Sequence, residues 1–511
     1  MGAHAYAKAL WRMRSFSSGF EYPAQPTKVA HCNLWLVLLV LMGTLLRISQ
    51  LAHLLTGQHA FRQTQTAYVA LEYARNGINL LQTPLPIFGP HASVPMEFPL
   101  VQAVAALLIR CSASPDMAIR TLGLIGFQSA AVLLLIIVRR WHGDLAAIIA
   151  VILFEFSPYG LVWGAAGLID FPSVALALGM VLGLDSWFRS GSYSGLTFGA
   201  MSAWLAFLVK VTTAPSWSLL LVTSALVAVK LSRPLFRIAS AFVAGPLAGL
   251  VLALVWTNYA DRIKNSNPLT EFLSSTDKVM VRWNFGTANQ RLDWHSYSVI
   301  VNRIGSEIAG PAMLVALLVA AGIFLAPNSI QKILRSGWPL VAISAPLVFF
   351  NLYVVHEYYL IGIFPAIIAS VAIGIAAICR RFPSRFIWIT PVLLIVGLLW
   401  NSSSFQYLKQ WQFGPLPDGT ALVLKAATNP HDLIITVGCD WNPTPLYYAD
   451  RRGLMIAGRN FSSKVWDFHH ISDYKYVLRC DRDVDILPYL PSGYTVSPTS
   501  SWGLFLIIPP S

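Results

Sequence analysis

A chain of 511 residues with 56% hydrophobic and only 12% charged positions carries about half the charge of a soluble domain, so a bilayer is the solvent for most of it. The net charge of +13 sits in short basic clusters between long apolar runs, the pattern of membrane topology and not of a nucleic-acid face. These bulk properties exclude a water-soluble enzyme and a nucleic-acid partner.

The N-terminal segment 1–33 carries Lys8, Arg12, Arg14 and Lys28 and runs into an apolar stretch with no small-residue cleavage site, which predicts a cytoplasmic N-terminus. Stretches long enough for roughly 30 Å of hydrocarbon follow at about 34–52, 117–138, 144–163, 171–188, 194–209, 214–231, 236–257, 309–326, 338–354, 358–379 and 386–400. The prediction is an all-α polytopic membrane domain over 34–400, with about eleven transmembrane helices. An odd number of spans that starts inside ends outside. The loops then assigned to the cytoplasm hold Arg139, Arg140 and His142; Arg189; Lys230, Arg233 and Arg237; Lys332 and Arg335; and Arg380, Arg381 and Arg385. All are basic, as the positive-inside rule requires, and the expected location is a bacterial inner membrane.

Three segments fall on the outer face. Loop 53–116 contains helical pieces, and loop 258–308 mixes polar and aromatic residues. The tail 401–511 has soluble composition and strand-like runs at LIITVG (433–438) and YKYVLRC (474–480), which predicts a small extracytoplasmic α/β domain. Cys439 and Cys480 each follow a predicted strand; an oxidising compartment would let them pair, while two reduced core thiols account for them equally.

Within the first outer loop, HAFRQTQTAYVALEYARNG (59–77) places Ala67, Ala70, Leu71 and Ala74 on one helical face and Arg62, Gln65, Glu72 and Asn76 on the other. Such a helix suits the membrane surface or the lid of a cavity. A proline-rich stretch and MEFPLVQAVAALLIR (96–110) come next, too short and interrupted to span, and suited to packing along the interface.

These segments resemble the GT-C superfamily of membrane glycosyltransferases, which take sugars from polyprenyl phosphates. The resemblance is carried by RQTQTA (62–67), Gly77 and MEFPL (96–100); by SPYGLVWGAAGLIDFPSVALAL (157–178), with an acidic residue at the outer start of a helix; by Lys210 in LVKVTTAP (208–215); and by HEYYLIGIFPAI (356–367). It covers roughly residues 34 to 400. One departure stands out: Arg62 or Gln65 occupies the place of the usual loop carboxylate, so the base, and any divalent cation that carboxylate would hold, has to come from elsewhere. No other cofactor is implied.

A sugar on a polyprenyl phosphate already has a good leaving group. Its transfer needs a base for the acceptor hydroxyl and positive charge for the departing phosphate. Asp170 is the first candidate base, since an ionisable group at the edge of an apolar helix is costly to place there; a simple helix cap is its plain alternative. Glu97 is the second, with a salt bridge to Arg62 as its alternative, and Glu72 trails both. Lys210, Arg62 and His356 are the candidates for the phosphate, with Arg282, Arg291 and Arg303 behind them. Glu357, Tyr358 and Tyr359 belong to the same outer segment as His356, and the tyrosines could stack on a sugar or merely mark the interface. The expected partners are a polyprenyl-phosphate sugar, an envelope glycan, lipid or protein acceptor, and the bilayer. A polysaccharide polymerase or ligase and a lipid or solute transporter are the competing readings. Charges at the outer edge and a globular tail fit transport less well.

Overall fold

The computed structural model describes residues 29–381, 419–457 and 461–510, together with 391, 392 and 395. Every predicted span before residue 380 coincides with helical residues; the stretch 386–400 lies outside the described residues, except for 391, 392 and 395, which are helical. The helices start and stop where the sequence places caps. Ser114 accepts from the Met117 amide ahead of Pro115, and Gly143 at φ 89° follows Arg139, Arg140 and His142 at the other end of Pro115–His142.

By length and composition three described helices can cross a membrane: Pro115–His142, Asp170–Ser190 and Leu235–Lys264. Trp294–Ala309 with Ala312–Phe324, bent by 78° between them, makes a fourth if counted as one span. The shortfall from about eleven has a geometric reason. Predicted spans are broken where proline or its neighbours interrupt the hydrogen-bond ladder. Residues 144–163 become Asp144–Phe156 and Pro158–Trp163, and 338–354 divides at Phe349 between Ser329–Val348 and Phe350–Val355. Others are short: Tyr193–Val209 and Ala214–Lys230 have 17 residues each, about 25 Å of helix. Pro246 sits in a π-helical turn, Val243–Leu247, inside Leu235–Lys264.

The bundle packs closely through small residues. A Cβ on Gly183 would lie 2.6 Å from the Gly199 backbone, so Asp170–Ser190 and Tyr193–Val209 touch main chain to main chain. Phe127, Phe154 and Phe364 stack in its core, with Phe171 edge-on to Phe127. The basic loop ends gather at one end of the bundle: Arg380 donates to the His142 carbonyl at 2.8 Å, and Gln331 to that of Trp141 at 2.8 Å.

At the opposite end, the first outer loop folds against the tail. The tail builds a five-stranded sheet in the order β2-β1-β3-β5-β4, from β1 (Leu433–Val437), β2 (Gly453–Ile456), β3 (Tyr474–Arg479), β4 (Thr495–Pro498) and β5 (Leu504–Ile508). β1 is parallel to β2 and β3; β5 is antiparallel to β3 and β4. The two strand-like runs of the sequence are β1 and β3, two of the three interior strands. Cys439 and Cys480, just past their ends, form a disulfide. The free edge of β2 is covered by the first outer loop: Gly453 N donates to Pro86 O (2.9 Å) and Met455 N to Ile87 O (2.7 Å).

Of the two roles expected for the helix Ala60–Asn76, the membrane surface or the lid of a cavity, its placement fits the second, since Phe61 and Arg62 line a cavity. Its polar face is buried as well as its apolar one, with Gln65 and Glu72 both buried. Polar partners make this tolerable. The Tyr68 hydroxyl donates to Arg451 O at 2.6 Å, Thr64 meets Thr444 at 3.1 Å, and Glu72 accepts from Arg452 at 2.7 Å. The helix is thus the joint between the bundle and the sheet domain.

Candidate active site

A cavity of about 210 Å³ lies where the first outer loop, the helix ends and the sheet domain meet. Its wall contains Arg62, Glu97, Lys210 and Lys264 among aromatic side chains, chiefly Trp283, Tyr358, Tyr359 and Trp441.

Lys210 reaches this wall because the helix Tyr193–Val209 stops at it, with Lys210 in an extended conformation (φ −156°, ψ 89°). Pro215 then opens the next helix. Asp170 is the first residue of Asp170–Ser190, but it does not cap that helix. Its Oδ1 accepts from the Lys210 ammonium instead, while Oδ2 has no hydrogen-bond partner among the described residues. Asp170 is only 1% exposed and stands behind Lys210, away from the cavity wall. The ammonium also lies 4.9 Å from the Tyr359 ring centre and 5.5 Å from that of Tyr358, within cation–π range.

The second charged pair is Arg62 and Glu97. Phe98 N donates to Leu208 O at 3.1 Å, which lays the MEFP segment along the helix end and brings Glu97 to the side of Lys210. Arg62 Nη2 meets Glu97 Oε2 at 2.7 Å and Nη1 meets Gln65 Oε1 at 3.0 Å; Gln102 donates to Glu97 Oε1 at 2.8 Å. Burial works to raise the Glu97 pKa, but the adjacent guanidinium outweighs it and holds the carboxyl below its usual range. The salt bridge expected as one account of Glu97 is therefore present, and it leaves the carboxylate ionised inside the cavity. Gln65 stands one step behind, beside Glu97 and Gln102.

His356 lies outside the wall, its ring 4.7 Å from that of His59. Burial and the neighbouring His59 push its pKa down to about 4. Glu357 Oε1 binds His59 Nε2 at 3.0 Å; burial works to raise its carboxyl pKa, but this hydrogen bond, the charges of His59 and Arg303 and a backbone N–H together hold it below its ordinary value. Four more of the sequence candidates, Glu72, Arg282, Arg291 and Arg303, are not brought to the cavity. Glu72 is held by Arg452 in the domain joint. Arg282 is exposed on Lys278–Phe285. Arg291 donates to Leu347 O and Val348 O, 2.8 Å each, where it satisfies carbonyls freed at the helix break. Arg303 does the same for Tyr353 O at 3.0 Å.

The sequence reading missed His59, Lys264, Trp283 and Trp441. His59 carries a sign visible only in coordinates, a φ of 52° in a residue other than glycine. Trp441 follows the disulfide cysteine Cys439, and its ring faces Phe61 at 6.1 Å; nothing in the chain order pairs 441 with 61. Among the described residues no group of three or more His, Cys, Asp or Glu converges as metal ligands. The carboxylates nearest the cavity are each paired with a cation, so this donor set does not fit a divalent metal.

No protein-family model and no curated protein matches the sequence. Solved structures do match it. ArnT from Cupriavidus metallidurans bound to undecaprenyl phosphate superposes with a TM-score of 0.62 at 14% identity, covering 93% of this chain and 97% of that one. The apo state of the same protein gives 0.61 at 14% identity, with 93% and 98% covered. The Archaeoglobus fulgidus oligosaccharyltransferase gives 0.53 at 10% identity, covering 87% of this chain and 69% of its own. Across nearly its whole length, then, the chain shares the fold of ArnT, and over 87% of it the fold of the oligosaccharyltransferase.

Proposed function

We propose that the chain is an inverting glycosyltransferase that moves a sugar from a polyprenyl-phosphate donor to a cell-envelope acceptor, a polysaccharide, lipopolysaccharide or protein, on the outer face of a bacterial inner membrane. The observation that carries this reading is the cavity itself: two cations, Lys210 and Arg62, flank the ionised carboxylate Glu97 beneath aromatic walls. The matching fold in ArnT is seen with undecaprenyl phosphate.

In this reading Lys210 and Arg62 face the donor phosphate. Glu97 takes the proton from the acceptor hydroxyl as its oxygen bonds to the anomeric carbon. The bond from that carbon to the phosphate oxygen breaks, and the phosphate leaves with the electron pair into the field of the two cations. Asp170 holds Lys210 in place and does not touch substrate. Trp283, Trp441, Tyr358 and Tyr359 give the sugar apolar faces to lie on and exclude water. The likeness to an oligosaccharyltransferase favours a second reading, transfer of a larger glycan. A cavity of about 210 Å³ supports the single sugar, since pockets for drug-sized ligands run to about 300–1,000 Å³.

The topology that goes with this has about eleven spans, a cytoplasmic N-terminus and an outer C-terminal domain. Reporter fusions after Ser511 and near Arg140 test it, and a cytoplasmic signal from the first refutes it. The activity is tested with purified protein in nanodiscs and a panel of polyprenyl-phosphate sugars. Release of lipid phosphate with transfer of one sugar is expected. Turnover confined to pyrophosphate-linked oligosaccharides would favour the second reading.

A further inference from the structure

A second cavity, about 380 Å³, lies on the other side of the helix end that supplies Lys264 to the first. Three separate parts of the chain form it: the first outer loop at Gly89–Ser93, the end of Leu235–Lys264 with Ser266 and Asn267, and Phe468 and His469 of the sheet domain. His469 is 9% exposed, and its Nε2 finds no hydrogen-bond partner among the described residues. An orphaned ring nitrogen costs free energy unless a ligand or water completes it. Gly89 makes the room: at φ 119°, a Cβ there would lie 2.6 Å from His469 Cε1. Any side chain would push the imidazole out of its place. Beside it, Phe468 leaves 51% of its surface exposed, with its ring 4.8 Å from His469 in an edge arrangement.

The geometry points to a subsite for a neutral saccharide, the glycan portion of the acceptor. The chemistry matches at each point. A neutral imidazole offers one donor and one acceptor, which is what a sugar hydroxyl pairs with. An open aromatic face suits the C–H face of a pyranose. Apart from histidines the wall holds no ionisable side chain among the described residues, so neither a phosphate nor an acidic sugar finds a fixed counter-charge there. Asn267 fixes the shared wall by donating to Phe88 O at 2.8 Å. The assignment of this glycan as acceptor rests on the transferase reading; the saccharide site itself does not.

The test measures binding and turnover separately. Full-length protein in nanodiscs is screened by saturation-transfer NMR against neutral mono- to trisaccharides of glucose, galactose, mannose and N-acetylglucosamine. At least one should bind. His469→Phe and the half-exposed Phe468→Ala should each weaken it by about five- to tenfold; Lys210→Met should leave it unchanged. Binding lost in Lys210→Met but retained in the other two would place the sugar in the first cavity and overturn the proposal. So would the absence of binding by every saccharide, or Zn²⁺ alone binding with loss in His469→Phe, which would make this a metal site. Saccharide binding with this mutational pattern but no transfer from any polyprenyl-phosphate sugar would uphold the subsite while removing the transferase reading.

Discussion

Lys210→Met separates a structural role for the Asp170–Lys210 pair from a role in the chemistry. The pair is almost closed to water, with side-chain exposures of 1% and 10%. Methionine fills the volume but leaves the Asp170 carboxylate facing an apolar wall, with Oδ2 already unpartnered among the described residues. Breaking a buried pair from one side costs about 3–5 kcal/mol, because the surviving charge is uncompensated. Removing both charges in Lys210→Met/Asp170→Asn should restore part of that. A double-mutant cycle of thermal unfolding should therefore return a coupling of up to about 3 kcal/mol. Additive effects would refute the pair as a coupled unit. The same variant addresses the phosphate. A charge-assisted hydrogen bond is worth roughly 1.5–3 kcal/mol, so affinity for undecaprenyl phosphate should fall about tenfold or more. If stability drops and lipid-phosphate affinity does not, Lys210 is only a strut.

Glu97→Gln should cut the single-turnover rate by about 10²- to 10⁴-fold, the usual worth of a positioned base, with donor affinity nearly unchanged; a loss under threefold would move the base elsewhere. The Glu97 carboxyl sits below its ordinary value of 4.5, so the stability and activity it brings are fully present above that value and fade as pH falls through the lower folded pKa. Arg62→Ala removes the guanidinium and should move the acid limb of the pH–rate profile upward; an unmoved limb would mean another group sets it. Cys439→Ser with Cys480→Ser opens a loop of 41 residues and should cost the sheet domain about 3–4 kcal/mol, read as a lower denaturation midpoint. Transfer should fall with it, because Trp441 loses its anchor two residues from Cys439; unchanged turnover would show that Trp441 holds its place without the disulfide.

The medium and the secondary structure of this chain follow from local chemistry, and so were legible in its residues. Apolar runs set the helices, proline and glycine set their ends, and basic clusters mark one end of the bundle. The strand-like runs LIITVG and YKYVLRC, bounded by turn residues, mark β1 and β3, two of the three interior strands. Asp170 and Lys210 were recognisable because a charge inside an apolar run has few local explanations. What the tertiary structure decided is who meets whom. Arg62 and Glu97 are 35 positions apart and Phe61 and Trp441 far more, and only packing brings them together. The ion pair that sets Asp170 behind Lys210, and so leaves Glu97 as the carboxylate in the cavity, depends on which side chain faces inward at a helix end. A sequence pattern gives periodicity along one helix. It carries no information on the rotation of one helix end against another, and the partner that stabilises each buried charge is chosen by that rotation.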